Sequence, residues 1–431
     1  MRTCLVLSFA IVMLDAAGSA VDAQQPKLPP VRALGPIVAK SVEPLSDVQA
    51  IRVLSDGRVL VNDAGARRLV LLDSTLIHAR PIADAHGAPT RQYGASTGAL
   101  LPFRGDSSVY LDLASATMQV LDPAGALVRS MPLPPRASAV GDMTNQVSRA
   151  VIDQTGRIVY RAPAPFYLSF LPPTFIGDTV VRGPDSLPLL RFDPVTRRED
   201  TAAMVQAPRV RQALSKFSRG GQGKPARDPI AVGGDDWVIL TDGTIAILRI
   251  RDYHVDWLRT DRSMTSGPKV AHQWERITDD MKRVIMDSVH VAAGGAKTDS
   301  LFAVDSAKYD SLALVAVANP DAILGPDGKS TRLGPRPVRT QFVAPADLPD
   351  AWPPFTSGTA VADADGNVWI RAARATGPNR GPVYDVIDRR GALIDRVEIA
   401  LGRSLVGFCP GFAILQSQVG PSVEIAKARI R

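Results

Sequence analysis

A four-strand plan recurs along this chain, and its repetition limits the fold more than any other feature. Its clearest copy spans residues 359–398: a short apolar strand (360–364), the turn Asp365-Gly366, a second strand (367–371), a third (383–388), the turn Arg390-Gly391, and a fourth (393–398). Fainter copies precede it. The first runs 48–54, Asp56-Gly57, 58–62, 68–73 and 77–82; the second runs 100–104, Gly105-Asp106, 108–112, 118–122, Gly125 and 127–131. Gly57 stands as far from Asp73 as Asp106 does from Asp122, and a constant spacing of turn residues marks a repeated supersecondary unit. The third copy (149–153, Thr155-Gly156, 157–161, 189–193, 200–205) is interrupted, and the fourth covers 236–240, Asp242-Gly243, 244–249 and 253–258. A sixth (405–409, 412–416, 424–429) runs out at the C-terminus one strand short, while the strand-like stretch 31–40 has no partner near it in sequence.

Six such sheets cannot each bury two faces alone. Arranged around an axis they cover one another, and closure removes the exposed edges that would otherwise aggregate. The expected fold is therefore all-β: a six-bladed β-propeller closed by N- and C-terminal strands sharing one blade, with a helix-containing insertion between blades 4 and 5. With 431 residues, 45% hydrophobic and 22% charged, the chain has enough apolar material for such a core. The chain resembles six-bladed propellers of the NHL-like class, and among them exported bacterial propeller proteins of unassigned function. The resemblance is carried by SDGRVLVND at 55–63, FRGDSSVYLD at 103–112, DDWVILTDGTIAILRIRDYHVDW at 235–257, LPDAWPPF at 348–355, and DADGNVWIR with VYDVIDRRGALIDRV within 363–397. It implies the fold and little about activity, since this fold hosts enzymes, ligand binders and adaptors alike.

Residues 1–23 have the pattern of a signal peptide: Arg2, an apolar run over 4–14, and the small residues Val21-Asp22-Ala23 before Gln24. Export to the periplasm or beyond is expected, with 24–431 as one propeller domain and no membrane span in it. Cys4 precedes the apolar run, so it is not placed to become a lipid anchor. Cys409 is then the only cysteine and no disulfide can form within the chain. The fold must be held by burial, with Cys409 expected as a small buried hydrophobe.

Two stretches depart from the repeat. Residues 207–228 form a basic loop with Arg209, Arg211, Lys216, Arg219, Lys224 and Arg227 against the single acid Asp228. Residues 263–346 form the longer insertion, in which Thr278, Asp279 and Asp280 signal a helix start and a helix is expected near 278–290. Ile277, Met281, Val284 and Ile285 would make its apolar face, packed across one mouth as a partial lid.

Tests for chemistry leave little. Gly94-Ala95-Ser96-Thr97-Gly98 matches a nucleophile-elbow string but lacks the preceding strand and following helix that strain the serine. Asp363-Ala364-Asp365-Gly366-Asn367 begins like a calcium loop, yet its glycine comes too early and no glutamate closes it, so a hairpin turn is expected. Ser218 to Pro225 lacks the first glycine and the magnesium-binding hydroxyl of a phosphate loop. His78, His86, His254, His272 and His290 show no metal spacing; alternation sets His254 and Asp256 on one face of a strand, with Tyr253, Val255 and Trp257 on the other. The residues point to no catalytic group, metal or cofactor.

One constellation remains. Superposed repeats place Asp63, Asp112, Arg161, Arg249 and Arg371 at the ends of second strands, where a propeller carries them to one mouth. They would form a funnel ring able to hold an anionic group through three arginines, or simply end their strands in water. A non-enzymatic scaffold binding a small molecule, glycan or protein is thus expected. The alternatives are a hydrolase or lactonase with a channel metal built from Asn62, Asp63 and Asp112, and an envelope adaptor working through the basic loop. Nucleic acid is not expected: export separates the two, and only Phe217 interleaves the basic residues.

Overall fold

The computed structural model describes residues 28–84, 93, 99–112, 117–134, 150–162, 179–182, 184–208, 211–214, 224–225, 230, 233–292, 307, 311, 343–374 and 379–430. Two N-terminal strands, β1 (Val31–Ala33) and β2 (Ile37–Lys40), lead into blade 1, formed by β3 (Val48–Val53), β4 (Val59–Asp63), β5 (Arg68–Leu72) and β6 (Ala79–Asp84). Blade 2 comprises β7 (Leu100–Pro102), β8 (Ser108–Asp112), β9 (Thr117–Leu121) and β10 (Leu127–Pro132). Blade 3 takes β11 (Val151–Ile152), β12 (Ile158–Arg161), β14 (Ser186–Phe192) and β15 (Glu199–Gln206); β13 (Thr179–Arg182) pairs instead with β16 (Arg211–Leu214), and β16 with β17 (Lys224–Pro225), in a small satellite sheet. Part of the expected basic loop is thus strand.

Blade 4 is β18 (Asp236–Ile239), β19 (Ile245–Arg249), β20 (His254–Leu258) and β21 (Met264–Lys269). Residues 264–269, expected in the insertion, instead pair with β20 as the outer strand. The helix α1 (Asp279–Ala292) follows, then blade 5, from β22 (Val361–Ala362), β23 (Val368–Arg371), β24 (Val383–Ile387) and β25 (Leu393–Glu398). Blade 6 takes β26 (Arg403–Cys409), β27 (Phe412–Val419) and β28 (Ser422–Arg429) from the C-terminus and β2 from the N-terminus, which pairs antiparallel with β28. The unpartnered stretch 31–40 therefore closes the ring, and β1 adds a parallel strand outside blade 5.

Closure is visible at the centre, where the innermost strands β3, β7, β11, β18, β22 and β26 each touch the next and β26 returns to β3. Six apolar cores fill the junctions between successive blades. Alternation explains how one strand feeds two of them: Leu60 of β4 packs with Tyr93, Leu100 and Tyr110 toward blade 2, while Val59 and Val61 pack with Ile414 and Ile425 of blade 6.

The turns between first and second strands are short. Gly57, Gly156, Gly243 and Gly366 occupy the same place in four of them with φ between 81° and 84°, a region that glycine enters without steric cost. The turns after third strands are short too, and Asp73, Asp122, Asp193 and Asp388 each accept backbone N–H groups within them. Asp363 does the same between β22 and β23, accepting from the backbone of Asp365 and Asn367 and from Trp369 Nε1, so that turn is a hairpin.

All these turns lie on one face of the ring, where they reach one another across junctions. Asp106 accepts from Ser55 of blade 1, Arg104 donates to the Gln154 and Thr155 carbonyls of blade 3, Gln154 donates to the Thr241 carbonyl of blade 4, Arg389 pairs with Asp242, and Lys427 donates to the Ser74 carbonyl.

The opposite face carries the connections between blades and the ends of the second strands. In sequence, the stretches that join β6 to β7, β10 to β11 and β21 to β22 are far longer than those turns. Thr278 caps α1, its hydroxyl accepting from the Met281 N–H. The helix packs on this face through Met286 and Ile285 against Ile277, Val343, Leu348 and Ile230. The inward face differs from the expected one. Lys282 is buried and pairs with Asp350 (2.6 Å), whereas Met281 and Val284 are exposed. The buried length of a lysine stem serves as apolar surface, which rotates the packed face by about one residue. Among the described residues no helix is long and apolar enough to cross a membrane.

Candidate functional site

Short turns on one face and long connections on the other make the second face the place where side chains can be presented. The five charged residues singled out in the sequence all end second strands there, and their surroundings differ.

Asp63 is fully buried. One carboxylate oxygen accepts from the Ser46 hydroxyl (2.7 Å) and from the Ser46 and Asp47 N–H groups, while the other accepts from Arg68 Nε (3.0 Å). Burial alone would raise this carboxyl, but those bonds, the Ser46 hydroxyl first, hold it below the ordinary range. Arg68 also pairs with Glu43 (2.7 Å), so Asp63 ties the lead-in of blade 1 to its second strand. Next to it, Asn62 Oδ1 accepts from the Tyr93 hydroxyl (2.6 Å), and the Tyr93 ring lies 5.9 Å from that of Tyr110. The Tyr93 hydroxyl is shifted up, chiefly by burial, with Asp63 and Asp112 adding to the shift. The structure thus brings the two acidic ring members together around one tyrosine at the junction of blades 1 and 2.

Arg249 bridges two acids, with Nη1 on Asp235 (2.8 Å) and Nε on Asp256 (2.7 Å), and it donates to the Met204 carbonyl of blade 3. Desolvation opposes its charge, but the two carboxylates outweigh it and raise the guanidinium further. His254 and Asp256 do share a face (3.3 Å), while Tyr253 and Val255 are buried on the other. Arg161 lies over Trp237 of blade 4, 5.9 Å from the ring centroid. Arg371 alone of the five is exposed. Among the described residues it makes no ion pair, while its backbone N–H donates to the Thr359 hydroxyl.

Two acids missed in the sequence organise the entry to blade 4. Asp235 accepts from the Gln206 and Ile250 N–H groups as well as from Arg249. Asp236, 1% exposed, accepts through Oδ2 from three consecutive N–H groups of the lead-in to blade 5: Gly358 (2.9 Å), Thr359 (3.0 Å) and Ala360 (2.9 Å). The available signal was the doublet Asp235-Asp236 immediately before an apolar strand.

A third feature lies beside Arg371. The LPDAWPPF segment runs between two neighbours: Ile277 N donates to the Asp350 carbonyl, Trp352 N to the Glu275 carbonyl, Ala373 N to Pro354 and Thr356 N to Arg371. The result is a narrow strip of three segments joined by single bridges, Arg276 to Ala351 and Phe355 to Ala372, beside blade 5. Arg374 stacks over Trp352, 4.9 Å from its centroid, and pairs with Glu275. Trp274 meets His272 edge to face (5.0 Å), His272 meets Tyr253 likewise (5.6 Å), and Tyr253 donates to buried Asp385 (2.7 Å). Burial, aided by Arg396, lowers His272 to about 4.

Cys409 is buried as expected, though the fold brings Lys427 beside it from β28; burial outweighs that cation and raises the thiol. The elbow string 94–98 lies outside the described residues, as do 1–27 and most of 215–229. Among the described residues no three or more His, Cys, Asp or Glu side chains are grouped to hold a metal ion.

No family model matches this chain, and no curated protein matches it. Solved structures similar to it include virginiamycin B lyase from Staphylococcus aureus (8% identity, 92% of this chain and 99% of that one, TM-score 0.37) and a gluconolactonase from Xanthomonas campestris (12%, 92% and 99%, 0.37). Another is the PQQ-bound aldose sugar dehydrogenase from Streptomyces coelicolor (10%, 94% and 100%, 0.39). At this level the likeness concerns architecture and carries nothing about substrate.

Proposed function

We propose that this chain is an exported, NHL-like propeller that binds rather than transforms its ligand, on the face bearing the long connections, and that the ligand carries an anionic group. The observation that carries this reading is Arg371, an exposed guanidinium at the rim with no acid paired to it among the described residues. Such a group is free to accept a carboxylate or phosphate in bidentate geometry. Arg161 is the second contact proposed; Asp63 and Arg249 are taken up in clasps that fix lead-ins around the ring, which Asp112 completes. The helix α1 forms one wall of the mouth. A cation centre in the acidic sector is disfavoured by occupancy: Asp63 already accepts four hydrogen bonds and Asn62 Oδ1 takes the Tyr93 hydroxyl. The export expectation rests on the composition of residues 1–23.

The test is thermal melting of the purified chain against inorganic phosphate, sulfate, glucuronate and galacturonate. At least one is expected to raise the melting temperature, and Arg371→Ala to abolish that rise while leaving the unliganded melting temperature unchanged. An undiminished rise in Arg371→Ala would overturn the assignment.

A further inference from the structure

We infer that the satellite sheet of β13, β16 and β17 carries a second binding site, for a linear acidic polysaccharide, on the face that holds Arg182, Arg211 and Lys224. The inference stands apart from the anion reading at Arg371, which it neither uses nor needs.

Register sets the face. Arg182 stands opposite Arg211, and Ala213 opposite both Val180 and Lys224, so alternation puts Val180, Arg182, Arg211, Ala213 and Lys224 on one side of the sheet. The other side takes Thr179, Val181, Gln212, Leu214 and Pro225. Uncharged residues thus occupy one face entirely, while the other has three cations and no acid at any of its positions. Such a face is unfavourable without an anion. Like charges directly across an antiparallel pair destabilise it, and three cations cannot leave water together without a counter-charge. The first acid after β13, Asp185, stands at the entry to β14 in blade 3, where its carbonyl accepts from the Ala207 N–H. Both excursions that build the sheet leave and rejoin the blades on the long-connection face, one between β12 and β14 and the other between β15 and β18.

Strand spacing defines what fits. The directly opposed Arg182 and Arg211 have Cα atoms about 5 Å apart, Lys224 lies about 8 Å from Arg211 on the diagonal, and about 12 Å separates Arg182 from Lys224. One phosphate or sulfate cannot span that triangle, whereas a polymer charged along its length meets all three cations at once. Arginine favours planar oxyanions such as the carboxylates and sulfates of acidic sugars. Single-stranded nucleic acid would call for aromatic residues on which bases stack, and none of the strand residues is aromatic. A membrane surface would call for large apolar residues beside the cations, and this face has only Val180 and Ala213.

The experiment measures binding of the full chain to immobilised heparin and polygalacturonate at stepped NaCl, in the parent and in Arg371→Ala, which removes the rim site. At least one polysaccharide is expected to bind both alike, within about twofold. In either background, Arg182→Gln, Arg211→Gln and Lys224→Gln together should weaken binding about tenfold to a hundredfold and flatten its salt dependence. Their melting temperature should not fall, because a like-charge pair has been relieved. Lys40→Gln, Arg262→Gln and Arg390→Gln neutralise three exposed cations elsewhere, give the same net charge, and should keep the affinity within about threefold at about 0.15 M salt. Absence of binding to both polysaccharides, equal losses in the two triple variants, or tighter binding to oligothymidylate or to phosphatidylglycerol vesicles would overturn the proposal. Loss of binding in Arg371→Ala alone would overturn it too, by assigning the polymer to the rim.

Discussion

The junction between blades 4 and 5 depends on one carboxylate. Asp236 accepts three consecutive backbone N–H groups from 358–360, and its other oxygen takes the Trp237 N–H. Replacement by alanine leaves those donors in a site that was closed to water. A buried donor stripped of its acceptor costs about 1–3 kcal/mol, and water entering the vacated space recovers part of this. The expected loss is about 3–5 kcal/mol, a large fraction of the roughly 5–15 kcal/mol that holds a typical domain. Asparagine keeps one acceptor oxygen for 358–360 but sets an NH2 against the Trp237 N–H, so about half that loss is expected. At roughly 2 cal/mol/K of unfolding entropy per residue, the alanine variant should melt about 5 °C lower. Because a ring of blades can open at one junction before unfolding, the sharper assay is native-state hydrogen exchange at Gly358, Thr359 and Ala360. There the same free energy accelerates exchange by about a thousandfold, while amides of blades 1 and 2 keep their rates. Asp236→Ala within about 1 kcal/mol of the parent, with unchanged exchange at those three amides, would refute the clasp.

Two other perturbations test the ring and its buried ring relay. His272 titrates near 4 in the folded chain, below its ordinary value, because it is desolvated and lies near Arg396. The unfolded chain therefore takes up the proton first; the contribution is complete above about pH 6.5 and fades as pH falls toward 4, by at most about 3 kcal/mol. His272→Phe should flatten that part of the stability profile in denaturant titrations at stepped pH, and an unaltered slope would count against it. Deleting residues 28–40 removes β1 and β2 and bares the edge of β28. A lower melting temperature and self-association in size-exclusion chromatography are expected, whereas a stable monomer would show that closure does not need the N-terminal strand.

What could be read in the sequence follows burial. Second and third strands such as β4, β8 and β24 are buried along their whole length, so their apolar runs and flanking turn residues stand out. Outer strands face water, and β21, with the sequence MTSGPK, is mostly exposed, contains Gly267 and Pro268, and offers no alternation to detect. The helix was legible from Thr278 and its acids, but its packed face was not, because Lys282 acts as an apolar stem there. Strand-end charges were legible as positions and not as partners. Ser46 and Asp47, which hold Asp63, and Asp235, which holds Arg249, lie in lead-ins whose paths are set by neighbouring blades. The strip at blade 5 was hidden for the same reason: its three segments come from 273–277, 350–356 and 371–374, joined only by tertiary pairing.

The distribution of polar links between the two faces bears on how binding can be independent of folding. On the short-turn face, links such as Asp106 to Ser55 and Arg389 to Asp242 tie turns of adjacent blades where no ligand is proposed to sit. Individually such exposed contacts are worth at most about 1 kcal/mol, so their value lies in number and in fixing blade angles. The buried clasps lie on the other face, at Asp63 and at Asp235 and Asp236, and they hold lead-ins, not the exposed side chains beside them. Arg371 thus stands on anchored backbone while its own side chain supplies no interblade clasp. Substituting it should alter recognition with little effect on the ring, which is why binding and melting must be measured together in that variant.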